Sequence, residues 1–142
     1  MQRVEATPGP LVPMGGKRMA EGEPLYTRQT ANELLPQVRE RLARLREAYA
    51  LIAGHRVTIA SRAGTNGGDA NAGGWLEASR AAADELSWFG EAGIVLRDIE
   101  QGLIDFPGMR DGKEVFLCWR MGEDAVNYWH DPDTGFAGRR PL

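Results

Sequence analysis

The hydrophobic positions of this chain change period near residue 93, and the change divides it into a helical part and a stranded part. Leu35, Val38, Leu42, Leu45, Tyr49 and Ile52 follow one another at spacings of three and four, which lays them along one narrow, coiled-coil-like seam of a helix. Thr27 can cap its start by accepting from the amide of Gln29 or Thr30, and Thr30 with Glu33 offers a second, overlapping capping box. Pro36 has no amide and crowds the turn before it. Two readings therefore stand: a short turn ending near Leu34, or a kinked start to one long helix. A second stripe, Trp75, Leu76, Ala78, Ala82, Ala83, Leu86 and Phe89, predicts another helix that ends at Gly93. Between the two, RAGTNGGDANAGG (62–74) holds five glycines and reads as a loop, so the helices, at about 27–61 and 75–92, should pack as an antiparallel hairpin.

After Gly93 the pattern alternates. Residues 94–98 and 103–106 read as short strands, 114–121 as a longer one, and 126–130 as a fourth. In the longest, Val115, Leu117 and Trp119 share one face while Phe116 and Cys118 share the other, and apolarity on both faces predicts a central strand. Asp111-Gly112 and Gly122-Glu123-Asp124 are turn chemistry on either side of it. The fold class is α+β: a long helical hairpin followed by a small antiparallel β-meander at about 94–131, with residues 132–142 as a loop.

Composition adds bounds. A chain of 142 residues is the size of one domain, and 42% hydrophobic with 26% charged residues is globular usage. Residues 1–24 carry Pro8, Pro10, Pro13 and Pro24 among glycines and charges and read as a flexible tail; Met1, Met14 and Met19 are each a possible start. A net charge of −3 is small and gives no argument for nucleic acid or an anionic membrane, and neither is expected as a partner. Its distribution is uneven: residues 28–62 hold seven Arg and three Glu, whereas residues 63–142 hold seven basic and fourteen acidic side chains. Arg39, Arg41 and Arg46 flank the first seam, and Glu77, Asp84, Glu85 and Glu91 make the second helix its acidic complement. One cysteine permits no intrachain disulfide, and without a signal-like start or a long apolar run the expectation is a cytoplasmic protein.

The chemistry-bearing residues gather in the last third. Asp105, Trp119, Arg120, Glu123, Trp129, His130 and Arg139 are the candidates for a small-ligand pocket or interface, since tryptophan, arginine and carboxylates together serve both. His130 beside Asp131 suits a base or a metal ligand, and His130, Asp131 and Asp133 form a partial set for a divalent metal. Asp131, Asp133 and Gly135 also resemble the opening of a calcium loop. Gly135 comes one place early and Leu142 stands where the closing Glu belongs, so an Asp-Pro-Asp turn is the simpler account. Cys118, mid-strand among apolar neighbours, reads as a buried and inert thiol. The glycine-rich loop lacks the Gly-Lys-Ser/Thr ending of a phosphate loop.

The phrases LYTRQTANELLP (25–36), LRDIEQGLIDFP (96–107), EVFLCWRMGE (114–123), WHD (129–131) and GFAGRRPL (135–142) resemble the bacterial domain-of-unknown-function family 2203. The resemblance implies no activity; some members carry the label of division initiation protein. Two functions are expected from the residues. The first is a non-enzymatic binding or assembly module, self-associating or meeting a protein partner through the helical hairpin. The second is a small enzyme or metal- or ligand-binding protein using the polar cluster of the sheet.

Overall fold

The computed structural model describes residues 25–61 and 72–142, so the expected tail at 1–24 and most of the glycine-rich loop lie outside it. Helix α1 spans Arg28–Ser61 and α2 spans Ala72–Ala92. The sheet follows: β1 (Val95–Asp98), β2 (Leu103–Arg110), β3 (Lys113–Arg120), β4 (Tyr128–His130) and β5 (Arg140–Pro141), with a 3-10 turn at Phe136–Gly138. The strands lie in chain order and every neighbouring pair is antiparallel, which makes an α+β fold with β3 in the middle.

The start of α1 obeys its sequence signal. The Thr30 amide donates to Thr27 Oγ1 at 3.0 Å, and the Thr27 amide donates back to Thr30 Oγ1 at 2.9 Å. Thr30 is thus the reciprocal partner of one box and not the cap of a second. Pro36 lies inside α1, which resolves the two readings in favour of one long helix. At the far end of α2, Gly93 has φ 74°, and the Ile94 amide reaches Phe89 O at 3.0 Å, closing the helix.

Leu34, Leu35, Val38, Leu42 and Leu45 of α1 are buried with Ala78, Ala82, Trp88 and Phe89 of α2 and with Ile104, Phe106, Val115, Leu117 and Trp119 of the sheet. Tyr49 departs from the expected seam, at 42% exposed. Tyr49 instead lines two surface grooves, one beside Ile99 and Glu100 and one beside Trp75 and Leu86.

The arginines of α1 divide their work. Arg41 and Arg44 bind Glu85 of α2 at 2.9 and 3.1 Å, so the charge complementarity of the two helices concentrates on one buried carboxylate. Arg39 and Arg46 instead donate to the backbone oxygens of Asp124 and Glu100, at 2.7 Å each. Asn32 accepts from the Val126 amide at 2.8 Å, and so α1 holds the loops of the sheet as well as its face.

Two departures from the predicted strands have local causes. β2 continues through Pro107 to Arg110, four residues past the expected end, because β1 pairs no further than Val95↔Asp105 and no strand needs the missing amide there. Residues 140–141, expected as loop, form edge strand β5 on Tyr128 and Trp129, where a proline is tolerated.

Tyr26 ties the layers together. Its amide donates to Pro107 O at 2.7 Å, its hydroxyl donates to Ala92 O at the end of α2, and its ring meets Phe106 edge-on. Gly108 makes this possible, since a Cβ there would sit 2.8 Å from Tyr26 O. Gly108→Ala should cost about 1–3 kcal/mol because the opposing atom is backbone and cannot swing away; urea unfolding measures it.

Burial raises the Tyr26 phenol above its ordinary value, so the neutral form is the one the fold retains. Its contribution is complete below the unfolded value of about 10 and declines as pH rises above that. Tyr26→Phe should lose about 1 kcal/mol at neutral pH for the missing hydrogen bond. The gap between wild type and variant, followed by urea unfolding from neutral pH upward, should narrow above about pH 10 as the wild type alone loses this contribution.

Candidate functional site

Alternation gives the sheet two unlike faces. Ile104, Phe106, Leu117 and Trp119 point toward the helices, so Asp105, Phe116, Cys118, Tyr128 and His130 occupy the other side. The turn Asp111-Gly112, with φ of 52° and 80°, is the two-residue hairpin connection the sequence predicts. Counting outward from it pairs Arg110 with Lys113 and, five steps on, Asp105 with Cys118. On the next strand Tyr128 lies opposite Cys118 and His130 opposite Phe116, so the His130 ring reaches diagonally across β3 toward Asp105.

The result is a polar cluster sealed in the outer face. Asp105 is 1% exposed, His130 2% and Cys118 0%, and one ligand atom from each lies within 4.8 Å of the other two. His130 Nδ1 faces Asp131 O at 2.7 Å, and a carbonyl only accepts, so Nδ1 carries a proton. His130 Nε2 lies 2.9 Å from Asp105 Oδ2, a contact that needs one proton between the two atoms. The same Oδ2 accepts from Arg97 Nε at 2.7 Å. Asp105 Oδ1 is buried without a hydrogen-bond partner, one of two such side-chain atoms among the described residues. A carboxylate with one oxygen used twice and the other unused is uncommon in a protein interior, where buried acceptors are normally satisfied.

Other groups close the cluster. Arg97 stacks on Phe116, with 4.9 Å from its guanidinium carbon to the ring centre, and the Phe116 and His130 rings are 5.7 Å apart. Arg139 lies over Tyr128 at 4.1 Å and over Phe136 at 4.2 Å, and its Nη1 and Nη2 hold Glu123 at 3.1 and 2.8 Å. Burial, and then the Asp105 carboxylate, push the Cys118 thiol up to about 12, against an opposite pull from Arg139. Cys118 is thus a protonated, inert thiol unless a cation binds it.

Of the sequence candidates, the structure brings together Asp105 and His130, with Glu123 and Arg139 paired at the border. Trp119 is elsewhere: it belongs to the helix-facing core and donates from Nε1 to Glu123 O at 3.1 Å. Arg120 is exposed, stacked near Phe136. Trp129 lies between Arg110 and Arg140, at 4.8 and 5.3 Å. Asp131 meets His130 through its backbone oxygen, which also accepts from the Thr134 amide in a turn, and Asp133 is exposed. Cys118 was missing from the candidate set although its signal was present: the Asp-Gly turn fixes its place opposite Asp105.

Removing the Asp105 charge tests the network. Asp105→Ala leaves His130 and Arg97 without their acceptor and should cost about 3 kcal/mol. Asp105→Asn, which keeps the shape and one acceptor oxygen, should cost less. Urea unfolding of both variants at neutral pH gives the comparison.

The sequence profile of a family described as "Uncharacterized conserved protein (DUF2203)" matches residues 24–142. No curated protein and no solved structure shows significant similarity to the chain. Among the described residues no helix is long and apolar enough to cross a membrane.

Proposed function

We propose that this chain, which belongs to the DUF2203 family, binds one divalent metal ion of the zinc class through Asp105, Cys118 and His130. The observation that carries the reading is the donor set itself: three ligand types from three adjacent strands, within 4.8 Å of one another, with Asp105 Oδ1 unused. Imidazole, thiolate and carboxylate together suit zinc rather than magnesium or calcium, which prefer oxygen alone. Donors around tetrahedral zinc stand about 3.2–3.7 Å apart, so the widest side of the cluster contracts by about 1 Å on loading. The surrounding contacts suit that event. The Asp131 carbonyl fixes the proton on His130 Nδ1 and so presents Nε2, while Arg97 occupies Oδ2 of Asp105 and leaves Oδ1 for the ion. The ion would replace two protons, the one now held between His130 and Asp105 and the one on the Cys118 thiol. A reducing, cytoplasmic setting would keep Cys118 available as a thiol.

Cobalt(II) is a suitable probe. The full chain, stripped of metal and refolded with cobalt, should take up one ion and develop a near-ultraviolet thiolate-to-cobalt band. Cys118→Ser should abolish the band. Arg97→Gln, which releases Asp105 from its fixed orientation, should weaken cobalt binding about 10–100-fold and keep the band. Folded wild type that takes up no cobalt, or a band that survives in Cys118→Ser, would overturn the reading.

The second reading is self-association through the hairpin, favoured by two grooves of about 440 and 550 Å³ that share Tyr49 and Ala53. Tyr49, Trp75 and Leu86 are each more than a third exposed along them. An apolar ridge flanked by grooves can seat the same ridge of a second copy across a two-fold axis, and a second copy is the occupant of this reading. Sedimentation should give a dimer that Leu86→Glu dissociates; a wild-type monomer at high concentration removes this reading.

A further inference from the structure

We infer that the ion reaches Asp105, Cys118 and His130 through a cavity on the outer face of the sheet, and that Phe116 is the gate of that route. The inference rests on the metal reading above and goes beyond it by assigning an entry path and the residues that control loading. The three donors are 0–2% exposed, so no ion meets them until a covering group moves. Ladder pairing holds the backbone of β2, β3 and β4 in place, which leaves the side chains of the outer face as the movable parts.

A cavity of about 340 Å³ ends against that cover. Val95, Pro107, Glu114 and Phe116 line it on the sheet, and Gly90 and Gly93 line it at the end of α2. Three of these residues are immediate neighbours of the donors. Val95 pairs with Asp105, Pro107 follows Asp105 by two positions on the same face, and Phe116 lies between Pro107 and His130, two positions before Cys118. Phe116 lines the cavity and His130, with its ring 5.7 Å from that of Phe116, does not, so the phenyl ring is the partition.

Arg97 clamps the partition, lying over the Phe116 ring at 4.9 Å while its Nε holds Asp105 Oδ2. One ion pair and one ring hold a guanidinium whose side chain is 40% exposed, so it swings into solvent at little cost. At the β4 side the cover is firmer: Arg139 has two bonds to Glu123 and the rings of Tyr128 and Phe136. The weaker cover is therefore the one that adjoins the cavity. Glu114, exposed at the cavity, has no ion pair among the described residues, and its carboxylate draws a divalent cation to the entrance. Because the ion takes Oδ1 and Arg97 keeps Oδ2, the clamp closes again over the loaded site and retards release as well as entry.

The experiment mixes the metal-free full chain with cobalt(II) and times the growth of the thiolate-to-cobalt band; excess chelator then times its loss. Phe116→Leu should speed uptake and release alike, about two- to fivefold for one lost guanidinium-ring contact, and leave the affinity unchanged. Val95→Phe, which fills the cavity, should slow uptake, an effect that general destabilisation does not produce. Glu114→Gln should slow uptake at low salt and match the wild type at high salt. Tyr26→Phe, a destabilised control remote from the donors, should load at the wild-type rate. Wild-type uptake rates in both Phe116→Leu and Val95→Phe, with the band intact, would overturn the route and leave the metal site standing. Faster release in Phe116→Leu without faster uptake would overturn the gate, and equal acceleration in Tyr26→Phe would replace it by unfolding of the whole domain. A Glu114→Gln rate equal to the wild type at low salt would overturn the part given to Glu114. No thiolate band in the wild type would overturn both the route and the metal site.

Discussion

A two-residue turn at Asp111-Gly112 sets the register of β2 against β3, and from that register both faces of the sheet follow. Both turn residues have positive φ, a geometry whose twist matches the strands it joins. A slip of one residue in either strand would carry its inward side chains to the opposite face. Ile104, Phe106 and Trp119, each fully buried against the helices, would lose most of that burial, at about 1.5–3 kcal/mol apiece for Ile104 and Phe106. The apolar side therefore enforces the pairing, and the polar side inherits it. Asp105 and Cys118 face each other because their neighbours must face the core.

Among the described residues two carboxylates are buried, in contrasting surroundings. Glu85 lies between the helices with one oxygen bound to Arg41 and the other to Arg44, so both acceptors are satisfied by cations of the same domain. This is an architectural ion pair, joining the basic helix to the acidic one. Asp105 is buried more deeply and satisfied less completely: Arg97 and His130 share one oxygen and the other has no partner. Removing an acceptor from water without a compensating contact is unfavourable by about 1–3 kcal/mol. A cation at Oδ1 would relieve that cost, which is the physical ground of the proposed metal site.

The same division explains the arginines. Arg41 and Arg44 of α1 hold Glu85 and join the two helices, whereas Arg39 and Arg46 hold carbonyls of the sheet loops and bind the helices to the sheet. Those of the sheet stack on aromatic rings at its outer face and edge: Arg97 on Phe116, Arg110 and Arg140 on Trp129, Arg139 on Tyr128. Stacked guanidinium groups are held in place while keeping their charge, so Arg97 and Arg139 stand ordered at the border of the cluster. Phe116 and Tyr128 thus serve the site without contributing a donor atom.

Much of the architecture was legible in the chain itself. Spacings of three and four from Leu35 to Leu45 specified the buried side of α1, Thr27 its start and Gly93 the end of α2; alternation after residue 93 specified a meander with β3 at its centre. Even the Asp105–Cys118 pair could be counted from the Asp-Gly turn. The place of His130 could not. Seven residues, 121–127, separate β3 from β4, and a connection of that length does not fix register; Val126 and Asn127 are held there by Asn32 and Arg28, about a hundred residues earlier. Strand β5 and the passage of β2 through Pro107 were hidden for a related reason, since each depends on which neighbouring strand is present or absent at that point. Local periodicity and turn chemistry determined the elements and their faces, because those preferences act between residues close in the chain. Only the tertiary structure decided that His130 joins Asp105 and Cys118 in one buried space, because the place of β4 depends on long-range contacts that no nearby residue encodes.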